Sequence, residues 1–367
     1  MKNIPLFKVF VPPEADAKVL ETMHSGYLSE SSNTAHFTKL FSEYINNSST
    51  MMVNSCTSAL HLSYILSNVG PGKEVITTPL TAIASNLPIK YLGGTIKWAD
   101  VDPRTGMIDP QDISRKINEK TAAILVLHKD GDLADMTKIL NIAEKYKTRV
   151  IEDAAHAVGA VSEGRKVGTI GDFTCFSFQA IKQLSTGDGG ALSCKSEDDY
   201  WKARRLKWFG VDKAKKGSAN PWYNDVTEVG YKYDLMEING AIGVTQMPYI
   251  QGLLDIAYQN GQAYSESLAG VSGVELLHRS NLDHPTYWAY TFKADNRDGL
   301  IKKLASHGVG AMQIHPRNDK WSIFERSEVG ELPGVDEFHA TEISIPSGWW
   351  VSEDDREFIL NIIKGGW

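Results

Sequence analysis

The sequence predicts an α/β protein in which a large domain, built on a mostly parallel sheet, is followed by a smaller α+β domain. Over the first two thirds of the 367 residues, short apolar runs of strand composition alternate with helical patterns. Alternation of this kind indicates βαβ units, whose strands run parallel. Near Glu237 the pattern changes to mostly helical sequence with a few short strand candidates. We therefore expect a large domain over residues 1–250 and a small C-terminal domain over residues 251–367.

The strands predicted for the large domain are short runs rich in Val, Ile, Phe or Thr. They are, in order, EVITTP, TIKWADVD, AAILVLH, TRVIEDAA, DFTCFSF and GGALSC. Apolar residues at helical spacing predict helices over residues 17–23, 37–45 and 58–69. A further helix, MTKILNIAEKYK, separates the third and fourth strands, as a parallel crossover requires.

Residues 238–269 predict a helical stretch, kinked or broken by Pro248 and the glycines around it. After it come two strand candidates, GVELLH and YWAYTFKA, and two helical patterns, DGLIKKLASHG and SEDDREFILNIIK. Residues 213–225 are polar and rich in Gly and Pro, so we expect a long loop there. Long loops within compact domains often carry function.

Composition excludes several classes of protein. The chain is 42% hydrophobic and 23% charged, with a net charge of −7, so it forms a core and does not favour nucleic acid or an anionic membrane. Its three scattered cysteines indicate neither a disulfide framework nor a structural zinc site, and we expect no metal. We expect no signal peptide, because Lys8 interrupts the apolar stretch near the N-terminus, and no run approaches 18 apolar residues. We therefore expect a cytoplasmic protein.

Three motifs contain residues that suggest ligand binding or catalysis. NSCTSAL (residues 54–60) places small hydroxyl residues before a helix, where free N–H groups suit a phosphate, although an ordinary N-cap has the same composition. In VIEDAAHAVGA, Asp153 ends a predicted parallel strand and points to the crevice where such folds bind ligands, unless it merely caps the next helix. In FSFQAIKQLSTGDGGAL, apolar, small and glycine residues enclose Lys182. Enclosure lowers the pKa of a lysine, and a neutral amine is needed for a Schiff base.

Together the three motifs indicate pyridoxal 5′-phosphate (PLP). This cofactor needs a phosphate cradle, an acid against its pyridine nitrogen and a lysine for its aldehyde. Asp153 precedes Lys182 by 29 residues, which leaves room for one strand and its connections. The combination is far more specific than any one motif.

Motifs throughout the chain occur in the order of one known family: IPLFKVFVPPEAD, SGYLSE, GKEVITTPLTAIASN, EDAAHA, GDFTCFSFQAIKQLSTGDGG and GYKYDLMEINGAIGVTQM. The chain thereby resembles the DegT/DnrJ/EryC1/StrS family of PLP-dependent nucleotide-sugar aminotransferases. The resemblance implies fold type I, the aspartate aminotransferase-like fold, and a homodimer. It also implies that Lys182 bonds the cofactor and shuttles a proton, and that Asp153 pairs with the pyridinium nitrogen. The remaining cofactor contacts implied are His156 near the phenolic oxygen, and Thr57, Ser58 and Ser177 at the phosphate.

The chain also departs from the family. Lys232 stands where members often have an Asn that reaches the partner subunit's phosphate, and a lysine would do so as a point charge. Ala82 replaces an aromatic residue that stacks on the cofactor ring, so another group must cover that face. His128 opens an unusual segment, HKDGDLAD. These differences indicate a divergent branch.

We expect transfer of an amino group from an amino acid, with glutamate the expected donor, to a nucleotide-linked keto-sugar. Two alternatives stay open: a PLP-dependent dehydratase or lyase, and a regulatory relative without turnover. Lys182 argues against the dehydrating members, which carry His at that position, and the presence of Lys182 and Asp153 argues against a regulator. Candidate substrate contacts are His128, His315 and Arg317.

Overall fold

The computed structural model describes residues 2–212, 225–324 and 330–367. The first part of the chain contains, in order, α1 (Glu14–His24), α2 (Ser32–Ile45), β1 (Thr50–Val53), α3 (Cys56–Leu66), β2 (Glu74–Thr77), α4 (Ile83–Tyr91), β3 (Thr95–Trp98), α5 (Pro110–Lys116), β4 (Thr121–Leu127), α6 (Met136–Tyr146), β5 (Arg149–Asp153), β6 (Val161–Ser162), β7 (Arg165–Lys166), β8 (Phe173–Ser177), β9 (Gly190–Cys194) and α7 (Glu197–Lys207). The later part contains α8 (Glu237–Gln246), α9 (Ile250–Leu268), β10 (Val274–Leu276), β11 (Tyr290–Ala294), α10 (Arg297–Ser306), α11 (Pro333–Thr341), β12 (Glu342–Ile345) and α12 (Glu353–Lys364).

The main sheet has seven strands in the order β1-β9-β8-β5-β4-β2-β3. Strands β8, β5, β4, β2 and β3 pair in parallel, whereas β9 runs antiparallel to both of its neighbours. The mostly parallel sheet and all six predicted strands are thus confirmed. The sequence analysis does not predict β1, whose four residues TMMV pair with β9 at the edge of the sheet.

The register of the sheet brings the predicted site residues to one edge. Asp153 pairs with Leu127 of β4 and with Cys175 of β8, so β4, β5 and β8 end side by side. Side chains alternate across a strand. Phe176 and Phe178 point into the cluster that Phe37 and Phe41 of α2 form on one face, with ring centroids 5.1–5.2 Å apart. This packing turns Ser177 to the opposite face.

The later part of the chain forms a second, three-stranded antiparallel sheet in the order β10-β11-β12, with α10 packed on β11 and β12 and α12 packed on α10. The start of the chain joins it, because Ile4 pairs with Val309 and lies in the same apolar cluster. The helical stretch predicted over residues 238–269 is broken between α8 and α9, at Pro248 as predicted. The boundary at residue 250 stays a prediction.

The extent of the described residues matters for two further expectations. The long loop predicted over residues 213–225 lies, apart from Asp225, outside them. Within the described ranges, no helix is long and apolar enough to cross a membrane.

Candidate active site

A cavity of about 300 Å³ lies beside the ends of β4, β5 and β8. Its wall includes the last residue of each of these strands and the first turn of α3. The predicted site residues that line it are Thr57, Asp153, His156, Ser177, Lys182 and His315. Residues far apart in sequence therefore meet at the carboxyl edge of the parallel strands, where α/β sheets bind their ligands.

Asp153 is buried and held from both sides. Its Oδ2 accepts a 2.6 Å hydrogen bond from the Ser85 hydroxyl, and its Oδ1 accepts a 3.1 Å bond from the Ala155 N–H. Burial raises the pKa of Asp153, while these two hydrogen bonds and the nearby Lys182 ammonium act in the opposite direction. The carboxyl group is thus fixed in orientation at the floor of the cavity.

Lys182 lies over the indole of Trp288, with Nζ 4.0 Å from the ring centroid. Burial lowers the pKa of Lys182 to about 8, although Asp153, Cys56 and Asp130 favour its charged form. Trp288 is itself fixed, since its Nε1 donates a 2.7 Å hydrogen bond to the Ile181 carbonyl. The amine therefore reaches its neutral form far more easily than a solvated lysine does.

His156 is buried in a stack of rings. Its imidazole lies 3.8 Å from the Trp288 ring and 5.4 Å from the His315 ring, nearly parallel to both. Its Nδ1 accepts a 3.2 Å hydrogen bond from the Asp130 N–H. Burial lowers the pKa of His156 well below its ordinary value, so the ring is neutral. Because Nδ1 is the acceptor, the single ring proton lies on Nε2.

The first turn of α3 forms another wall. Ser55 is the N-cap of α3, and its hydroxyl accepts a 3.1 Å hydrogen bond from the Ser58 N–H. The Ser58 hydroxyl donates to Oδ1 of Asn54, so Ser58 completes the cap while Thr57 lines the cavity. Gly190 of β9 lies against this turn, and a Cβ there would stand 2.6 Å from the Cys56 nitrogen.

Four predicted site residues do not line this cavity: Ser58, which completes the cap of α3, and His128, Arg317 and Lys232. His128 is fully buried, with Nε2 3.0 Å from a Glu152 carboxylate oxygen. Arg317 makes a bidentate ion pair with Asp319, with N–O distances of 3.0 and 2.7 Å. Lys232 is half-exposed, pairs with Asp234 and lies over the Trp208 ring. The expected substrate contacts of His128 and Arg317 are therefore not brought together with Lys182 in this structure, whereas that of His315 is.

Sequence reasoning missed three residues that shape the site: Ser85, Asp130 and Trp288. Ser85 follows Ala82 by three residues, and Ala82 itself lines the cavity. Asp130 lies in the unusual HKDGDLAD segment, which marks it only as a difference from the family. Trp288 falls within a predicted strand, where an aromatic residue is ordinary. None of these positions has a pattern that indicates a site before the chain folds.

This sheet order, with one antiparallel strand and an aspartate and a lysine in the cavity beside the strand ends, defines a fold type I enzyme of the PLP-dependent class. The profile of the DegT/DnrJ/EryC1/StrS aminotransferase family matches residues 12–364. The chain belongs to this family and is an aminotransferase.

Similarity to individual proteins supports the assignment to this family. GDP-perosamine synthase of Caulobacter vibrioides is 33% identical over 328 residues, which cover 86% of this chain and 86% of the relative. The sugar aminotransferase CalS13 of Micromonospora echinospora is 34% identical, with a TM-score of 0.95 over 99% of this chain and 100% of its own. Spr1654 of Streptococcus pneumoniae, solved in its PMP form, is 25% identical with a TM-score of 0.91, over 99% of this chain and 97% of its own.

Proposed function

We propose that the protein uses PLP to move an amino group from an amino acid, with glutamate the expected donor, to the keto group of a nucleotide-linked sugar. The observation that carries the proposal is that Asp153, Lys182 and the first turn of α3 line one cavity. The names of GDP-perosamine synthase and CalS13 support a sugar acceptor. The PMP form of Spr1654 supports the cofactor, since PMP is the amino form of PLP.

The residues present fit PLP. Gly190 has no side chain where a Cβ would press on the first turn of α3, which keeps that turn in place for a phosphate. Asp153 offers a fixed carboxyl group for a ring nitrogen, and Ser177 lies on the cavity side of β8. His156 carries its proton on Nε2 and so has a donor for a phenolic oxygen. These are the contacts through which the chain would hold the cofactor.

PLP supplies, when bound, an aldehyde that bonds amines and a ring that takes up electrons from the amine carbon. Lys182 would bond that aldehyde and, once released, carry a proton between substrate atoms. A pKa near 8 suits both tasks, because the amine is readily neutral at physiological pH and still accepts a proton. Asp153 would keep the ring nitrogen protonated, and its burial strengthens that charge–charge contact.

Spectroscopy and product analysis test the proposal. Purified protein is expected to be yellow, and borohydride is expected to fix the label on Lys182. Glutamate should then convert the absorbance to that of the amino form. Incubation with glutamate and a panel of nucleotide-linked keto-sugars should yield an amino sugar and one 2-oxoglutarate for each amine transferred. Lys182→Ala should give neither spectrum nor product.

The alternatives give different results. A dehydratase or lyase would change the sugar without consuming glutamate in equal amount. A regulatory protein would bind sugar or cofactor and release no product. A borohydride label on a lysine other than Lys182 would contradict the proposed site.

The same proposal includes a cytoplasmic homodimer with a composite site. Lys232 does not reach the cavity of its own chain, and about half of its side chain is exposed. The Asp234 carboxylate and the Trp208 ring contact its ammonium group. In the proposed dimer, Lys232 would meet the phosphate in the partner's cavity.

A further inference from the structure

The segment between β4 and α6 carries an unusual set of buried charges. Lys129, Asp130 and Asp132 are at most 5% exposed. Nζ of Lys129 lies 2.7 Å from Oδ2 of Asp130 and 2.8 Å from a Glu342 carboxylate oxygen. Asp132 binds Arg279 through two hydrogen bonds of 2.6 and 2.8 Å. The charges are therefore paired, as buried charges must be.

Oδ1 of Asp130 and Nε2 of His315 are buried polar atoms without a hydrogen-bond partner among the described residues. Asp130 is 1% exposed and His315 is 7% exposed. Each unsatisfied buried group costs about 1–3 kcal/mol. Yet Asp130, His156 and His315 offer side-chain atoms that all lie within 4.8 Å of one another. One atom is an acceptor and the other is a ring nitrogen that can carry a proton, so each can satisfy the other.

We propose that His315 transfers protons at the cavity and that Asp130 positions it, by accepting a hydrogen bond from Nε2–H of His315 during turnover. His315 lines the cavity beside Lys182, so the Nδ1 lone pair of the resulting tautomer serves the substrate. This inference rests on the proposed function, because it assigns the step in which the sugar ketone condenses with the amine.

A metal ion would be the other occupant of such a group of atoms, and two observations oppose it. Nδ1 of His156 already accepts the Asp130 N–H and has no second lone pair in the ring plane. The Lys129 ammonium lies on the Asp130 carboxylate, so an added cation would be repelled at short range. A proton shared between Asp130 and His315 meets neither objection.

The chemistry of the step needs a group of this kind. When a ketone condenses with a primary amine, a C=N bond replaces the C=O bond and the oxygen leaves as water. Both hydrogens of that water come from the amine nitrogen, so the protons balance without an outside donor. They must nevertheless travel from nitrogen to oxygen. A neutral imidazole at the cavity can take each proton from the nitrogen and return it to the oxygen.

The charges that face His315 explain why it needs Asp130. Burial lowers the pKa of His315 to about 3, with Lys129 and Lys182 acting in the same direction and Asp130 opposing them. The other neighbouring titratable ring, His156, is neutral. His315 therefore rests as a neutral base, and Asp130 is the neighbour that stabilises its protonated form.

The backbone of Asp130 is held in place by the same assembly. Asp130 has φ 57° and ψ 13°, in the left-handed region that few residues other than glycine adopt. Its N–H binds His156, and its Oδ2 accepts a 2.8 Å hydrogen bond from Thr291. One residue thus orients both imidazoles of the cavity, His156 through its backbone and His315 through its side chain.

Single-turnover kinetics test the pair. The enzyme is first converted to its amino form with glutamate and then mixed with the keto-sugar that it accepts. His315→Gln is expected to slow this step by about 100-fold or more, with KM little changed and cofactor absorbance retained. Asp130→Asn is expected to move the acid limb of the wild-type pH profile to lower pH, because it removes the charge that stabilises the imidazolium. His61→Gln is the matched control, since His61 is also buried, its Nε2 has no partner within the part of the chain that the structure describes, and it lies outside the cavity.

A readout independent of turnover keeps the inference falsifiable. NMR of ¹⁵N-histidine-labelled holoenzyme, with the signal assigned by His315→Gln, is expected to show the proton of His315 on Nε2. A proton on Nδ1, or turnover of His315→Gln equal to that of wild type, would overturn the inference. A wild-type enzyme that aminates no keto-sugar would overturn the proposed function instead, and the NMR result would still decide the Asp130–His315 contact.

Discussion

At the scale of single residues, Asp153 is the simplest group to test. Asn at this position keeps an acceptor for the Ser85 hydroxyl, so the fold should be retained while the negative charge is lost. We expect Asp153→Asn to keep some PLP and to lose about 10–100-fold in kcat, because a hydrogen bond to a charged group is worth about 1.5–3 kcal/mol. Steady-state kinetics and cofactor absorbance measure both effects.

Near-normal turnover of Asp153→Asn would mean that a different acid keeps the ring nitrogen of the cofactor protonated. Glu152 is the only neighbour in the strand with a carboxylate, but its Oε1 already accepts bonds from the Gly171 N–H and the Thr174 hydroxyl. Glu152→Gln therefore serves as the comparison, and we expect it to affect stability more than it affects turnover.

Lys182 should make the apoprotein less stable at neutral pH. Its pKa is about 8 in the folded chain against 10.5 in the unfolded chain. Below pH 8 the amine is charged in both states, and the folded state bears the full cost of burying that charge. Between pH 8 and 10.5 the unfolded state binds more protons, so stability rises with pH and the cost disappears. Lys182→Met should raise the Tm of the apoprotein at pH 7 by more than at pH 10.

Thermal denaturation of apoprotein at both pH values checks this expectation, with Lys166→Met as a control at a cation for which no comparable role is assigned. An equal gain for Lys182→Met at both pH values would mean that the methionine acts through packing and not through the lost charge.

At the scale of elements, the contact between β9 and α3 supports the phosphate cradle. A Cβ on Gly190 would stand 2.6 Å from the Cys56 nitrogen and 2.6 Å from the Phe176 carbonyl oxygen, both of which are backbone atoms. One of these elements must then move. We expect Gly190→Ala to destabilise the protein by about 1–3 kcal/mol and to weaken PLP binding about tenfold or more. Gly252→Ala in α9 is the control, because nothing lies within 4 Å of its added Cβ.

Thermal unfolding and a PLP titration measure the two effects. Equal PLP affinity in Gly190→Ala and Gly252→Ala would show that the first turn of α3 does not determine phosphate binding.

Elements with a strong apolar pattern could be predicted, and others could not. β4, with seven residues TAAILVL, is recognisable because its run of apolar residues is nearly continuous. α7, EDDYWKARRLK, has charges over most of its surface and no apolar stripe that would distinguish it from a loop. α4 contains Pro88, a residue that normally breaks a helix, although the structure accommodates it within this one. What decides these segments is tertiary packing, which no local pattern contains.

Some residues of the site could likewise be placed from the sequence, and others could not. Asp153 and Ser177 could be placed from the sequence because the ends of parallel strands meet at one edge. Ser85, Trp288 and the approach of Asp130 to His315 depend on how distant segments pack, so the sequence alone does not indicate them.

At the scale of the whole molecule, Lys232 tests the composite site. In the proposed dimer, a phosphate dianion enclosed between subunits needs a compensating charge. Lys232→Ala should weaken PLP retention more than it lowers the melting temperature. When Lys182→Ala and Lys232→Ala are mixed under conditions that allow subunit exchange, partial activity should return, because a heterodimer contains one site with both lysines.

Light scattering establishes the oligomeric state for this experiment. A mixture of Lys8→Ala with Lys182→Ala is the control, because it separates the effect of a charge at the partner's phosphate from the effect of a cation elsewhere. A fully active monomer, or wild-type PLP retention in Lys232→Ala, would refute the composite site.

The pairing of Ile4 with Val309 has a consequence for biosynthesis. The ribosome makes Ile4 about 300 residues before Val309. Phe7, which follows Ile4, stacks on Trp288 at 4.2 Å, and Trp288 lies under the reactive amine of Lys182. Ile4 and Phe7 must therefore wait for partners that are translated about 300 residues later, and closing so long a loop is slow. The wall beside Lys182 is therefore complete only after Trp288 has been made and Phe7 has packed against it.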